Sequence, residues 1–367
     1  MSVVGDQDGG SAVPDDEWER FLRESVDGVA DAPKEPSARA RVVTKRLRKK
    51  PDASQIWPGH YAPPRQRRRK QGWYAVGFLA SLALLAVALF PGRVVDWLAP
   101  GGEATDTPLA AETARPTQAP PAQAPEQPTL KEPFKGSPAA RWADGAAGIS
   151  VPPAKATGWM STRQVAEALG HTRDFLVDAS LDPAVLRGEH PGKAIARINP
   201  HQQDVQDYLS TAFRAPSKTN DPLLLFSRFD KARTRLVGDV VKTRGRITYQ
   251  QGDRGALRVT TDITYVYPVV RAASGSSEVE RTIVRREVVM DWDDPGKVIT
   301  EPGTFSLVSY NIDITNGGCG TPNGYLTPAF GAERDTGARE GREIDPYDRS
   351  TSMEERMGKG CGVATRM

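Results

Sequence analysis

Beyond residue 150, the side chains that could do chemistry are three histidines, a triplet of aspartates and two cysteines. A histidine set between a Ser or Cys nucleophile and a carboxylate would point to acyl transfer. His171 shares a helix face with Ala168 and Phe175, the pattern of a boundary residue, while His190 sits in the loop RGEHPGK and His201 in the first turn of a predicted helix. No HExxH, GxSxG, GxxxxGKS or paired CxxC is present. Asp291, Asp293 and Asp294 fall within four residues, and such oxygens could hold Ca²⁺. Their sequence, DWDDPGK, reads more simply as the polar end of a strand entering an Asp-Asp-Pro-Gly turn. Cys319 and Cys361 each stand between glycines, and two thiols alone make a poor metal site. The sequence therefore predicts no catalytic residue, no cofactor and no metal, and favours a non-enzymatic role.

Periodicity outlines the elements that must position these residues. Ser161-x-x-Gln164 forms a capping box ahead of the stripe Val165, Ala168, Leu169, Thr172, Phe175 and Leu176. Asn199-Pro200-x-Gln202 opens a second helix with Val205, Tyr208, Leu209, Ala212 and Phe213 inward. Asp221-Pro222 opens a third, carrying Leu225, Phe229, Ala232 and Leu236. The period then falls to 2. Val237, Val241, Ile247 and Tyr249 share a face opposite Lys242, Arg244 and Arg246. After the turn QQGDRG, Leu257, Val259, Ile263, Tyr265, Tyr267 and Val269 alternate with Arg258, Thr260, Asp262 and Thr264. A third strand spans 282–292 with Val284, Val288, Met290 and Trp292 in phase. The fourth spans 304–315, and its phase slips between Leu307 and Val308, which predicts a bulge. Helices followed by long consecutive strands make an α+β domain with a four-stranded antiparallel sheet covered on one face.

The chain ahead of that domain has a different character. Gly72–Phe90 runs 19 residues without a charge, about 28 Å as a helix, and predicts one transmembrane helix within 72–98. Arg65, Arg67, Arg68, Arg69 and Lys70 abut its N-terminal end, which predicts a cytoplasmic N-terminus and an extracytoplasmic C-terminal domain, a single-pass type II arrangement in the cell membrane. Residues 1–71 read as a mostly disordered basic tail. Within it, Trp18, Phe21 and Leu22 mark a short amphipathic stretch that is either a docking helix or of no consequence. The basic block 37–70 holds 12 Lys and Arg against the single acid Asp52, and suits a topology determinant or an anionic leaflet. Downstream the charges nearly cancel, which argues against nucleic acid as a partner. Residues 99–135 contain eight prolines between Pro100 and Pro133 and read as a semi-rigid polyproline spacer.

With the C-terminal side outside, Cys319 and Cys361 are expected to form a disulfide, closing a loop of roughly 40 residues and contributing about 4 kcal/mol in the chain-entropy model. That bridge would staple a Gly-rich C-terminal extension, 317–367, to the domain at 136–316.

The tail sequences DDEWERFLRES and APKEPSARARVVTKRL, followed by a basic stop and one membrane helix, resemble a family of actinomycete single-pass membrane proteins without an assigned activity. The resemblance covers residues 15–50 and the layout; it implies a lineage and an address and carries over no catalytic residue. The order of elements over 155–316 resembles the NTF2-like cone, in which a strongly curved sheet wraps helices. The VirB8-like components of bacterial secretion and conjugation machines share a cytoplasmic tail, one helix and such a domain, although the tail and linker here are longer. A cone implies a concave interior that Tyr265, Tyr267 and Trp292 would line or, as preferred here, fill. The expected function is a membrane-anchored envelope protein, possible as a homo-oligomer, whose outer domain binds a protein or cell-wall partner. A small-ligand-binding or weakly catalytic cone and transmembrane signalling through the tail are the alternatives.

Overall fold

The computed structural model describes residues 107–122, 126–318, 320, 322–331, 333, 343–356 and 363–367. Trp18, Phe21 and Leu22, the apolar run at 72–90, the basic cluster Arg65–Lys70, Cys319 and Cys361 lie outside them. Among the described residues no helix is long and apolar enough to cross a membrane.

The chain enters through two short strands, β1 (Ala143–Asp144) and β2 (Ile149–Ser150). Helix α1 (Thr162–Ser180) follows, and the predicted capping box closes it: Ser161 N–H donates to Gln164 Oε1 at 2.9 Å and Gln164 N–H to Ser161 Oγ at 3.5 Å. Short helices α2 (Pro183–Leu186) and α3 (Gly192–Ile195) lead to α4 (Gln203–Arg214). The sheet then continues with β3 (Thr234–Leu236), β4 (Lys242–Gln251), β5 (Leu257–Arg271), β6 (Glu280–Trp292) and β7 (Ser306–Thr315). Beyond it come β8 (Glu343–Ile344), α5 (Met353–Arg356) and β9 (Val363–Ala364), with β8 and β9 paired in parallel. The four long strands form the expected antiparallel meander β4-β5-β6-β7. β1 and β2 pair with β4, and β3 with β5. The β6–β7 register shifts opposite Val289/Met290, with Ser309 and Leu307 as partners, so Val308 is the extra residue of the predicted bulge.

Several expectations need correction. The predicted first strand is split: Val237 follows β3, and Gly238, in the left-handed region at φ 67, turns the chain before β4. Helix α4 starts at Gln203, so Pro200 is not its first residue and His201 lies outside its first turn. The Gln202 side chain is drawn away from capping. It accepts from Leu307 N–H at 2.7 Å and donates to Leu307 O at 2.8 Å, replacing the strand partner that the bulge lacks. Asp221-Pro222 opens only a 3₁₀ turn, Pro222–Leu224. Arg286 explains why: its guanidinium takes Leu223 O at 2.8 Å and Leu224 O at 3.0 Å, the acceptors that a continuing helix would need. Ser227 N–H bonds instead to Ala179 O and Phe229 N–H to Leu186 O.

The fold is α+β with a mostly antiparallel sheet, but the sheet is not a cone. α1 and its following loops fill one face, where Tyr265 and Tyr267 are fully buried and Trp292 packs against Phe305 with ring centroids 5.8 Å apart. The other face, expected to be polar and open, is covered too. Phe134, Trp142 and Tyr347 pack there on Val266 and Ile283. Beside them the charges of the strands find partners in two flanking segments. Glu112, 3% exposed, accepts from Arg246 Nη1 at 2.8 Å and from Arg349 Nε at 2.8 Å, with Arg244 Nε at 3.3 Å. Asp262, 4% exposed, accepts two hydrogen bonds from Arg285, at 2.8 and 2.9 Å. Burial alone would raise the Asp262 carboxyl, but Arg349, Arg285 and Arg246 overcome it and hold it well below the usual carboxylate range.

The Pro-rich stretch is therefore not a free spacer over its described part. Leu109 N–H donates to Arg141 O at 2.8 Å, Arg244 to Ala110 O at 3.0 Å, and Arg366 to Pro120 O and Pro121 O at 2.9 and 2.8 Å. Residues 107–122 form a strap held to the sheet by the buried Glu112 carboxylate and by the Ala110 carbonyl.

Candidate functional site

An open groove of about 680 Å³ lies at the end of the sheet, where the start of α4, the turn after β4, the end of β6 and the start of β7 meet. His171 and His201 and the triplet Asp291, Asp293 and Asp294 lie in or near this region, yet they do not converge. Asp291 holds Arg258 in a bidentate pair at 2.8 and 2.7 Å, and Asp253 joins the same guanidinium at 2.9 Å. Asp293 accepts from Ser306 Oγ at 2.6 Å; burial pushes its carboxyl up, and the neighbouring Asp291 adds to the rise. Asp294 turns into the predicted loop, accepting from Gly296 N–H at 3.0 Å, with its own carbonyl taking Lys297 N–H at 2.8 Å. Each carboxylate thus serves a different part of the strand end, and among the described residues no group of three ligands is placed to hold a metal.

His201 meets Glu301 at 2.9 Å on the exposed rim. His171 lies against the other side of the same strand end, stacked on Trp292 at 6.0 Å and 3.1 Å from Arg197 Nη1, a boundary residue as expected. His190 packs on Phe213 at 4.6 Å, well separated in the fold. Among the described residues none of the three hydrogen-bonds to a Ser or Thr hydroxyl, so no triad assembles.

The floor is built by side chains fastening loops to strands. Asn199 donates to Ile299 O at 3.0 Å and to Ser306 Oγ at 3.2 Å, and Lys297 donates to Arg254 O at 2.9 Å. Two apolar side chains stand on the rim: Ile299 is 76% exposed and Val308, the bulge residue, 46%. These are the two most exposed large hydrophobic residues in the described chain, and both line this groove. Sequence reasoning did not single out Arg254, Arg258 or Ile299. Ile299 carried one signal, an apolar pair with Val298 inside the turn-rich loop DDPGKVITEPG. Chemically the groove offers charges of both signs, several of them paired, around an uncovered apolar lip.

Comparison with known proteins gives no matching family, no matching curated protein and no matching solved structure.

Proposed function

We propose that this chain is a non-enzymatic, single-pass membrane protein of the cell envelope, and that its folded C-terminal unit binds a protein partner in the groove at the end of the sheet. The anchor and the orientation rest on the uncharged run Gly72–Phe90 and the basic cluster Arg65–Lys70 that precedes it. On this reading the folded unit lies outside the cytoplasm, where a Cys319–Cys361 bridge would staple the C-terminal extension. The observation that carries the binding role is the presence of both Ile299 and Val308, exposed, on the rim of a polar groove. Apolar side chains of that exposure gain most from a partner that buries them, and the surrounding charges set its orientation. The NTF2-like reading contributes only the order of helices and strands, and the interior it implied is occupied by side chains.

The test is photo-crosslinking in the native cell, with a photoreactive residue placed in the full-length protein at Ile299 or Val308, and at Val151 or Val240 as exposed controls. The expected result is one envelope protein captured from the two groove positions and from neither control. Equal capture at all four positions, or none from the groove, would sink the reading. Ile299→Glu should abolish the capture while changing stability by no more than about 0.5 kcal/mol, as for an exposed substitution.

A further inference from the structure

Among the described residues β7 closes one side of the sheet, with β6 as its only strand partner. Two contacts fix which of its main-chain groups face outward. Leu307 turns both its N–H and its C=O onto the Gln202 amide, away from its cross-strand neighbour Met290. Val288 shares the sense of Met290, because its N–H reaches the Thr261 hydroxyl of β5 at 3.3 Å. Alternate residues of β6 therefore bond to β5, and the others to β7. With Val308 as the extra residue, Ser309, Asn311, Asp313 and Thr315 bond inward, and Tyr310, Ile312 and Ile314 present their N–H and C=O groups outward. Among the described residues, no protein group bonds to those outward positions. The bulge at Val308 bounds the free edge at one end, and Asn316, left-handed at φ 52, bounds it at the other. No Lys or Pro guards the stretch between them.

We propose that a second copy of this chain occupies this edge, the two β7 strands pairing antiparallel about a twofold axis at Ile312. An antiparallel ladder needs outward residues to face outward residues. In this register Ile312 meets its own copy, and Tyr310 meets Ile314 of the partner subunit. These apolar pairs extend a half-buried stripe that already packs on the core, where Tyr310 stacks on Tyr208 at 5.7 Å. On the other face Asp313 meets Asn311 of the partner subunit, and Ser309 meets Thr315 of the partner subunit. No like charges are opposed. The alternatives are worse: moving the axis to residue 313 sets that aspartate against its own copy, and moving it to residue 311 leaves Ile314 facing the bulge. One register uses all three outward residues without a charge conflict, which is what an isologous contact requires. The contact joins two sheets into one and is independent of the groove reading, so either can fail without the other.

The test uses the full-length protein in lipid nanodiscs. Mixing Ser309→Cys chains with Thr315→Cys chains should give a mixed disulfide dimer, with the linked residues identified by mass spectrometry, and Ser309→Cys alone should give none at that position. Ile312→Pro removes only an outward N–H, a placement that an edge strand tolerates. It should convert a dimer into a monomer, read as a halving of the protein mass, with the circular dichroism spectrum unchanged. If that variant fails to fold, the cysteine pair decides. A monomeric wild type, a dimer without the 309–315 link, or capture of a different protein at this edge would each overturn the proposal.

Discussion

Asp262 sits on a strand face that alternation marks as polar, yet it is among the most enclosed carboxylates described here. Its neighbours decide its charge. Arg349, Arg285 and Arg246 hold the folded-state value below the range of an unfolded aspartate, near 4. The stabilisation this supplies is therefore complete above about pH 5 and disappears as the pH falls through the depressed folded value. Asp262→Asn leaves Arg285 without its bidentate acceptor and should cost about 3–5 kcal/mol. Urea unfolding across the pH range checks it: the deficit should be constant from about pH 5 to 8 and should shrink below about pH 4. A deficit that grows in acid would show that another group controls the titration. Alternation along β5 revealed the face on which Asp262 lies. It carried no hint of a cover, because the residues that complete the network, Glu112 and Arg349, come from opposite ends of the described chain, and neither stands in a periodic segment.

At the scale of elements, local rules succeeded where the competing contacts were local. The capping box of α1 and the phase slip at Val308 depend on residues a few positions apart, and both are as predicted. The helix expected after Asp221-Pro222 failed because of a residue more than sixty positions away. Arg286 is the one charged member of the inward stripe Val284, Val288, Met290 and Trp292, and it is 2% exposed. It binds carbonyls and the Ser180 hydroxyl at 2.8 Å, and burial lowers its pKa against the pull of the nearby tyrosines. A cation in phase with an apolar stripe was a visible signal that some backbone would have to turn its acceptors toward it. Arg286→Met should free the Leu223 and Leu224 carbonyls at a cost of about 1–3 kcal/mol for each one left unpaired. Hydrogen exchange should show protection lost first at Ser227 and Phe229, whose amides bond to Ala179 and Leu186. Unchanged protection there would mean that the segment is held by its apolar contacts alone.

Across the described residues, the sheet is a middle layer, with helices on one side and irregular segments on the other. Composition alone made the Pro-rich stretch look like a spacer, since proline and alanine neither alternate nor form a stripe. What holds it is its one acid, Glu112, bound by arginines of the sheet and of the C-terminal segment, together with the carbonyls of Thr107, Ala110, Pro120 and Pro121, each bound by an arginine. Glu112→Ala should release the strap while β5 and β6 remain folded. In hydrogen exchange, the Leu109 amide, bonded to Arg141 O, should lose its protection and the central strands should keep theirs. Equal loss in both would show strap and sheet to be one cooperative unit. The pin has a mechanical meaning. A pull on the chain from the side of Thr107 reaches Glu112 and its arginines before it reaches any long strand. Detaching residues 107–122 would pay out roughly 55 Å of slack. A molecule loaded from that end would lengthen by shedding its strap first, and the meander behind it would be shielded from the force until the slack is spent.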